Sequence, residues 1–572
     1  MPRLPAFLIS ALLLGPAASA GETPAAARAR FPVTFTVKRE DGADLPSRLL
    51  LYDNRGKLLP APDGQAFRLC PGKCAVELPA GKYTVQADAG MRLGKSRRNF
   101  SVDGKNSTAV NLELGYFSWG VNNGWSLCSA FFDNPLCPGT PNADGAGQCR
   151  HPTLEAVRAL ALSAGLNAAG VSNLEMLPHD RPGGAAFRDA EDGFAKLEKT
   201  LSAPAPCRLL HYWQARTAAG SCRILEPRPF PGAGTLPSDG RLTALLAAAR
   251  DRGTLTVLTP PDDGARAETL LDLLGGGLYD AVDITRGGED YLFWQTLLKL
   301  GLRIPAAAGG GPNLSMYVQA PARAEAGAYL QALREGRTLV SNGPFLRMAV
   351  METLDEDNGE TLVTETGGTI NPSASRRTIA VTAAACSDPA DSIARVELLY
   401  NGKILETADG KPGQKTLEVS WLDLALKGSG WLQVRYVSRA PHLWAVSNPV
   451  YVGAAPRRFQ GTAVTALRLT VKAAPGRKTA AAELAAANFG ETLLKRRLTL
   501  PATLDLRLPA TAEITVRPDG RPGEARSLYE LTGARAFCRK IAAENPRALR
   551  KKETLEKIRG LLENSETVWE IQ

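Results

Sequence analysis

Groups able to do metal, acid–base or nucleophilic chemistry are sparse in this chain and far apart. Its 572 residues include only four histidines, His151, His179, His211 and His442, none within five positions of another. A hydrolytic metal centre needs several neutral imidazoles and carboxylates held about 2 Å from the ion, because they must outcompete water and still leave a position open for the nucleophile. His211 lies inside the apolar run RLLHYW, His179 follows Pro178 ahead of Asp180, His151 precedes Pro152 at a helix start, and His442 belongs to a distal β region. Each has an ordinary packing, turn or capping role open to it. The grouping they do allow is Glu175, His179 and His211, with Asp283, as a rearranged site for zinc or manganese. Cys222 reads as a nucleophile or as the disulfide partner of Cys207. The segment CPGKC at 70–74 can close a small loop, and it lacks the second close Cys/His pair of a zinc site. Asp262 and Asp263 resemble a glycosidase's acid pair only in type, since adjacent side chains diverge. The GGG runs at 275–277 and 309–311 are not followed by Lys-Ser/Thr, as a phosphate loop would be.

The elements that must position such groups fall into four blocks. Residues 32–114 alternate apolar and polar positions in short runs such as VTFTVKRE and KYTVQADA, broken by DG, NRGK and DGK turns, which predicts an antiparallel β-sandwich. From 115 to 345 short apolar strands alternate with helical patterns, as in DGRLTALLAAARDRG leading into TLTVLTPP. A chain of about six such units predicts an α/β domain closed into a barrel, with function at the carboxyl ends of its strands. Residues 346–455 return to β character, with YNGK as a hairpin signal, and predict a second sandwich. Residues 456–572 read as strands followed by helices, the last carrying an apolar stripe of Leu555, Ile558, Leu561 and Leu562 suited to docking.

The opening MPRLPAFLISALLLGPAASA has a basic start, an apolar run and small residues before a polar segment, so residues 1–20 are expected to be a secretory signal and 21–31 a linker. No segment reaches the roughly 18 apolar residues of a membrane span, so an exported, periplasmic or secreted protein is expected. Export also suits nine cysteines, of which several within 128–222 are expected to pair. The net charge of +10 is dispersed, with few aromatics interleaved, which argues against nucleic acid as a partner.

The stretch LLKLGLRIPAAAGGGPN, followed by MYVQA, a helix and LREGRTLVSNGPFL, resembles the carbaryl-hydrolase-like (CehA/McbA) family. The sandwich running into GYFS and the later VELLYNGK, GWLQVRY and SNPVYV are similar to that family's layout, so the resemblance spans residues 32–453. It implies a central barrel like that of the PHP metallohydrolases, flanked by sandwiches, with a metal site built on strand ends. At the implied ligand positions this chain carries Asn122 and Gly124, Asn173 and Leu174, Gln214 and Cys222, Thr259, and Gly311 and Asn313. Glycine and leucine cannot ligate, and amides and hydroxyls are weak ligands for transition metals. The expectation is a degenerate metallohydrolase, non-catalytic and without a resident cofactor, which binds a ligand or acts as a scaffold for a protein partner at the cell envelope. A metal-dependent ester or phosphoester hydrolase with the rearranged site is the alternative.

In a barrel of this kind Asn122, Asn173, Gln214, Thr259, Asp283 and Arg286 would meet at one opening. They would offer neutral donors and acceptors and one fork-shaped cation to a small polar or anionic ligand.

Overall fold

The computed structural model describes residues 29–571 apart from 62–66, 91–94, 116–124, 133–160, 164–165, 172–207, 218–219, 227–245, 247–248, 250–253, 261–268, 310–313, 322–323, 355–360, 372–376, 387–391, 440–442, 454–463, 477–480, 489–490 and 520–521. The expected signal segment lies outside the described residues.

The N-terminal unit is a sandwich. One sheet pairs Lys73–Pro79, Arg30–Arg39 and Thr108–Leu114; the other is built on Ser47–Asp53 and Gly81–Asp88. Alternation along Arg30–Arg39 sends Val33, Phe35 and Val37 inward against Leu49, Leu51 and Val85, while Thr34 and Thr36 stay partly solvated.

The central region departs from the sequence expectation. No closed α/β barrel forms among the described residues, and the molecule is dominated by β structure in several sheets. The largest is a mixed sheet of 15 strands. Its path runs through Ala306–Ala307, Ala281–Asp283, Leu255–Leu258, Gly220–Glu226, Arg208–Thr217, Ala168–Val171, Trp125–Phe132, Ser315–Gln319, Thr338–Ser341, Trp444–Ser447, Gly430–Ser438, Ile393–Tyr400 and Lys403–Asp409, with Thr369–Ile370 and Val450–Val452 attached off this path.

Two local causes overturn the barrel. Arg208–Thr217 and Gly220–Glu226 are joined by residues 218–219 alone and pair antiparallel, and Gly220–Glu226 pairs antiparallel again with Leu255–Leu258. A two-residue link can only join antiparallel neighbours, whereas the strand–helix–strand unit needs a crossover of a dozen residues or more. On the other side Trp125–Phe132 pairs antiparallel with Ser315–Gln319, which leads through Thr338–Ser341 to Trp444–Ser447. The sheet therefore grows outward into the distal region instead of closing on itself.

Among the described residues, helices Thr269–Leu274, Gly288–Lys299 and Ala326–Glu335 accompany this sheet. The second buries Phe293, Trp294, Leu297 and Leu298, and the Trp294 indole N–H donates to the Ile304 carbonyl at 2.8 Å. In the distal region a four-stranded antiparallel sheet containing Phe345–Leu354 and Arg377–Cys386 supplies Leu346, Met348, Val350 and Val381 to a core shared with Leu398, Leu432, Val434 and Tyr436 of the large sheet. That makes a second β-sandwich.

The C-terminal block is a third sandwich, with Leu467, Leu469, Leu484, Ile514 and Trp569 in its core. Its helices Ala534–Glu544 and Lys552–Glu563 pack against the central region: Leu555, Ile558 and Leu562 are fully buried in the same cluster as Leu271 and Leu297. The Tyr529 hydroxyl reaches the Asp272 carboxylate at 3.3 Å, and burial among apolar neighbours pushes that phenol well above its ordinary range. No helix among the described residues is long and apolar enough to cross a membrane.

Candidate functional site

Thr259, Asp283 and Arg286 come together at one end of the large sheet. The parallel pairing of Leu255–Leu258 with Ala281–Asp283 matches Leu258 to Val282, so Thr259 follows in register beside Asp283. On the other flank Val257 is opposite Arg223, and Arg223 is opposite Gln214. Side chains of directly paired residues project to the same face of a sheet. Arg223 and Asp283 do so here, with Arg223 Nη1 3.0 Å from Asp283 Oδ2. Of Gln214 the backbone position alone is described.

Asp283 ends its strand in DITRGGED, a segment that turns the chain into the helix Gly288–Lys299. The Thr285 backbone N–H donates to Asp283 Oδ1 at 2.9 Å and its hydroxyl donates to the same oxygen. Gly287 stands at φ +64°, a conformation that side chains with a Cβ rarely adopt, and this reversal brings Arg286 over the first turn of the helix. Arg286 Nε and Nη2 then fork onto the Asp290 carboxylate at 2.9 and 3.0 Å, and Nη2 lies a long 3.5 Å from the Pro260 carbonyl. Arg550, from the C-terminal block, adds a third donor to Asp290 at 3.3 Å and lies 3.6 Å from Glu289.

Burial raises the Asp290 carboxyl above the usual carboxylate range, against the pull of Arg286 and Arg550 and with a smaller push from the Asp283 charge. That last influence places the two acids in one electrostatic neighbourhood. Arg223, Arg286 and Arg550 stand against Asp283, Glu289 and Asp290, so the charges of the cluster balance, and the half-exposed Arg286 guanidinium is the group placed to meet an anion.

Two features bear on ligand binding. The Arg286 side chain is 49% exposed although it is paired. The Thr259 hydroxyl is buried, at 7% residue exposure, and has no hydrogen-bond partner among the described residues. A buried hydroxyl without a partner costs about 1–3 kcal/mol, so a bound group that hydrogen-bonds it would recover that cost.

Asn122, Asn173, Glu175 and His179 lie outside the described residues. His211 is placed by its backbone alone, opposite Val171 in one neighbour and Glu226 in the other. Among the described residues no group of three or more His, Cys, Asp or Glu is arranged to hold a metal ion. Trp125 is buried in the distal core with its ring edge-on to Phe345. Of the cysteines expected to pair, Cys128 is buried in the central core; Cys137, Cys149 and Cys207 lie outside the described residues, and Cys222 is described by its backbone.

Sequence reasoning missed Arg223, Asp290 and Arg550. Arg223 had a signal, as the one charged residue within the strand run GSCRIL, and Asp290 stands four residues after Arg286, the spacing of a helical ion pair. Arg550, 260 positions from Asp290, had none.

No family model and no curated protein matches the chain. Among solved structures, similarity is found to BcpA, the major pilin subunit of Bacillus cereus, at 9% identity over 86% of this chain and 88% of that one, with a TM-score of 0.21. The fibronectin(III)-like modules of Clostridium thermocellum CbhA match 31% of this chain and 91% of theirs at 12% identity and a TM-score of 0.11. Likeness at these scores decides nothing about fold or function.

Proposed function

We propose that this chain is an exported, non-catalytic binding protein of the cell envelope, whose central region holds a small anionic group, a carboxylate or phosphate, beside Thr259 and Arg286. One observation carries the reading: a buried threonine hydroxyl without a partner among the described residues stands next in register to an acid already neutralised by arginine, beside a half-exposed guanidinium. Such a site supplies a neutral donor and a planar cation, the pair that recognises an oxyanion, and both carboxylates are occupied by arginines instead of being free to act as bases. The resemblance to the carbaryl-hydrolase-like family, with Asn, Gln, Thr and Gly where its metal ligands stand, supports a binding role in place of hydrolysis. The signal-like first 20 residues support the envelope, where a protein partner is a further expectation.

Calorimetric titration of the full chain with inorganic phosphate and with acetate tests this. Binding by the wild type, weakened about tenfold or roughly 1.4 kcal/mol in Arg286→Ala, is the expected result. Stoichiometric zinc or manganese in the purified chain, with ester or phosphoester turnover lost on changing Glu175, His179 or His211, would overturn it in favour of the hydrolase.

A further inference from the structure

The N-terminal sandwich carries a device that the central site does not involve. Strand Arg68–Cys70 belongs to one sheet, with Cys70 opposite Ser47. Strand Lys73–Pro79 belongs to the other, with Cys74 opposite Phe35. The chain thus crosses between the two sheets at CPGKC, and a thiol stands at each end of the crossing. The turn is held in place: Gly72 has φ +120°, its carbonyl accepts from the Val37 N–H at 2.7 Å, and a Cβ there would come within 2.7 Å of Asp44 Cβ. Both cysteines are free thiols, Cys70 buried and Cys74 half-buried, and their side chains hydrogen-bond one another.

We propose that Cys70 and Cys74 are a redox pair that closes into an intrachain disulfide and fastens the two sheets of the N-terminal sandwich together. The Cys74 hydrogen bond holds Cys70 below the ordinary thiol range, which eases loss of the pair's first proton, while the same bond and burial push Cys74 up. Asp44 and Arg68 are the charged groups that act on the pair, Asp44 opposing the Cys70 thiolate and Arg68 favouring that of Cys74. The oxidant is a low-molecular-weight disulfide. Cys74, the more accessible sulfur, attacks it as the thiolate after passing its proton to Cys70 across their hydrogen bond, and one small thiolate leaves. Cys70 then gives up that proton and displaces the second small thiol. Two S–H bonds of the protein and one S–S bond of the oxidant break, while one protein S–S bond and two S–H bonds of released thiol form; the cysteines are oxidised by two electrons and the small disulfide is reduced.

Trypsin reads the bond directly, because Lys73 lies between the cysteines and cleavage after Arg68, Lys73 and Lys82 yields LCPGK and CAVELPAGK. The full chain is incubated with oxidised glutathione, its remaining thiols are alkylated, and it is unfolded and digested without reductant. The expected product is the two peptides joined, lighter by two hydrogens than their sum and separated by reductant. Recovery of the two peptides apart, each alkylated or carrying glutathione, or of either joined to another cysteine, would overturn the pairing. Oxidation should also raise the unfolding midpoint of the wild type and leave Cys74→Ser unmoved. Equal midpoints for the two wild-type forms would overturn the fastening role, and the peptide result stands whether or not the variant folds.

Discussion

Valine is close in shape to threonine and has no polar atom to satisfy, so it separates the two uses that position 259 can have. If the Thr259 hydroxyl is kept for a ligand, Thr259→Val should stabilise the unliganded chain by about 1 kcal/mol, since the buried group without a partner is removed, while phosphate affinity falls about tenfold. Denaturant unfolding with and without phosphate reads both halves; a variant that binds as well as the wild type refutes the role. A separate test concerns the exposed Asp41, which the Arg39 guanidinium and the Ala43 backbone N–H hold at about 2, below its ordinary 3.8. A carboxyl lowered on folding contributes stability above its unfolded value, and that contribution is lost as pH falls toward the folded one. The carboxyl resonance of Asp41 should therefore titrate near 2 in the folded chain, and Asp41→Asn should lessen the acid dependence of stability between pH 4 and 2. A midpoint near the ordinary value would show that the pair with Arg39 does not persist in solution.

Helix Lys552–Glu563 spends its apolar stripe on the central region, where Leu555, Ile558 and Leu562 are fully buried. Ile558→Ala should cost about 2–5 kcal/mol, and hydrogen exchange should quicken in this helix and in Thr269–Leu274, against which it packs. Slow exchange retained in both helices would count against docking of the stripe. That stripe was legible because the 3.6-residue period shows which face is apolar. The distal hairpin was legible for a local reason too: Asn401 and Gly402, at φ +53° and +76°, form the tight turn that YNGK announces between Ile393–Tyr400 and Lys403–Asp409. The N-terminal strands followed from strict alternation. Residues 208–226 misled because an apolar strand followed by small residues reads equally as the start of a crossover, and the choice between hairpin and helix rests on the two residues of the link.

At the scale of the whole molecule, the large sheet takes strands from both sides of residue 345, where the composition changes and a domain boundary was expected. Thr338–Ser341 on one side of that point is hydrogen-bonded to Trp444–Ser447 on the other. A chain ended at residue 345 should expose that ladder as a bare edge together with Leu339, Val340 and Phe345, and should associate or precipitate where the full chain stays dispersed. Sedimentation of the two forms at equal concentration decides this; a monodisperse fragment would show that the sheet divides there. Such long pairings limit what a linear reading of the site can find. Thr259, Asp283 and Arg286 were reached because strand ends carry polar residues in sequence order, but Arg550 arrives from the far end of the chain by packing alone.

The N-terminal sandwich has a geometric consequence of its own. Its first strand, Arg30–Arg39, and its last, Thr108–Leu114, lie side by side and point the same way, with Arg39 matched to Leu114. The backbone therefore comes in at one pole of the sandwich and departs at the opposite pole, about 30 Å along the strand direction. The unit acts as a strut between those two poles, and shortening both strands together should shorten the separation of Arg30 from Leu114 in step.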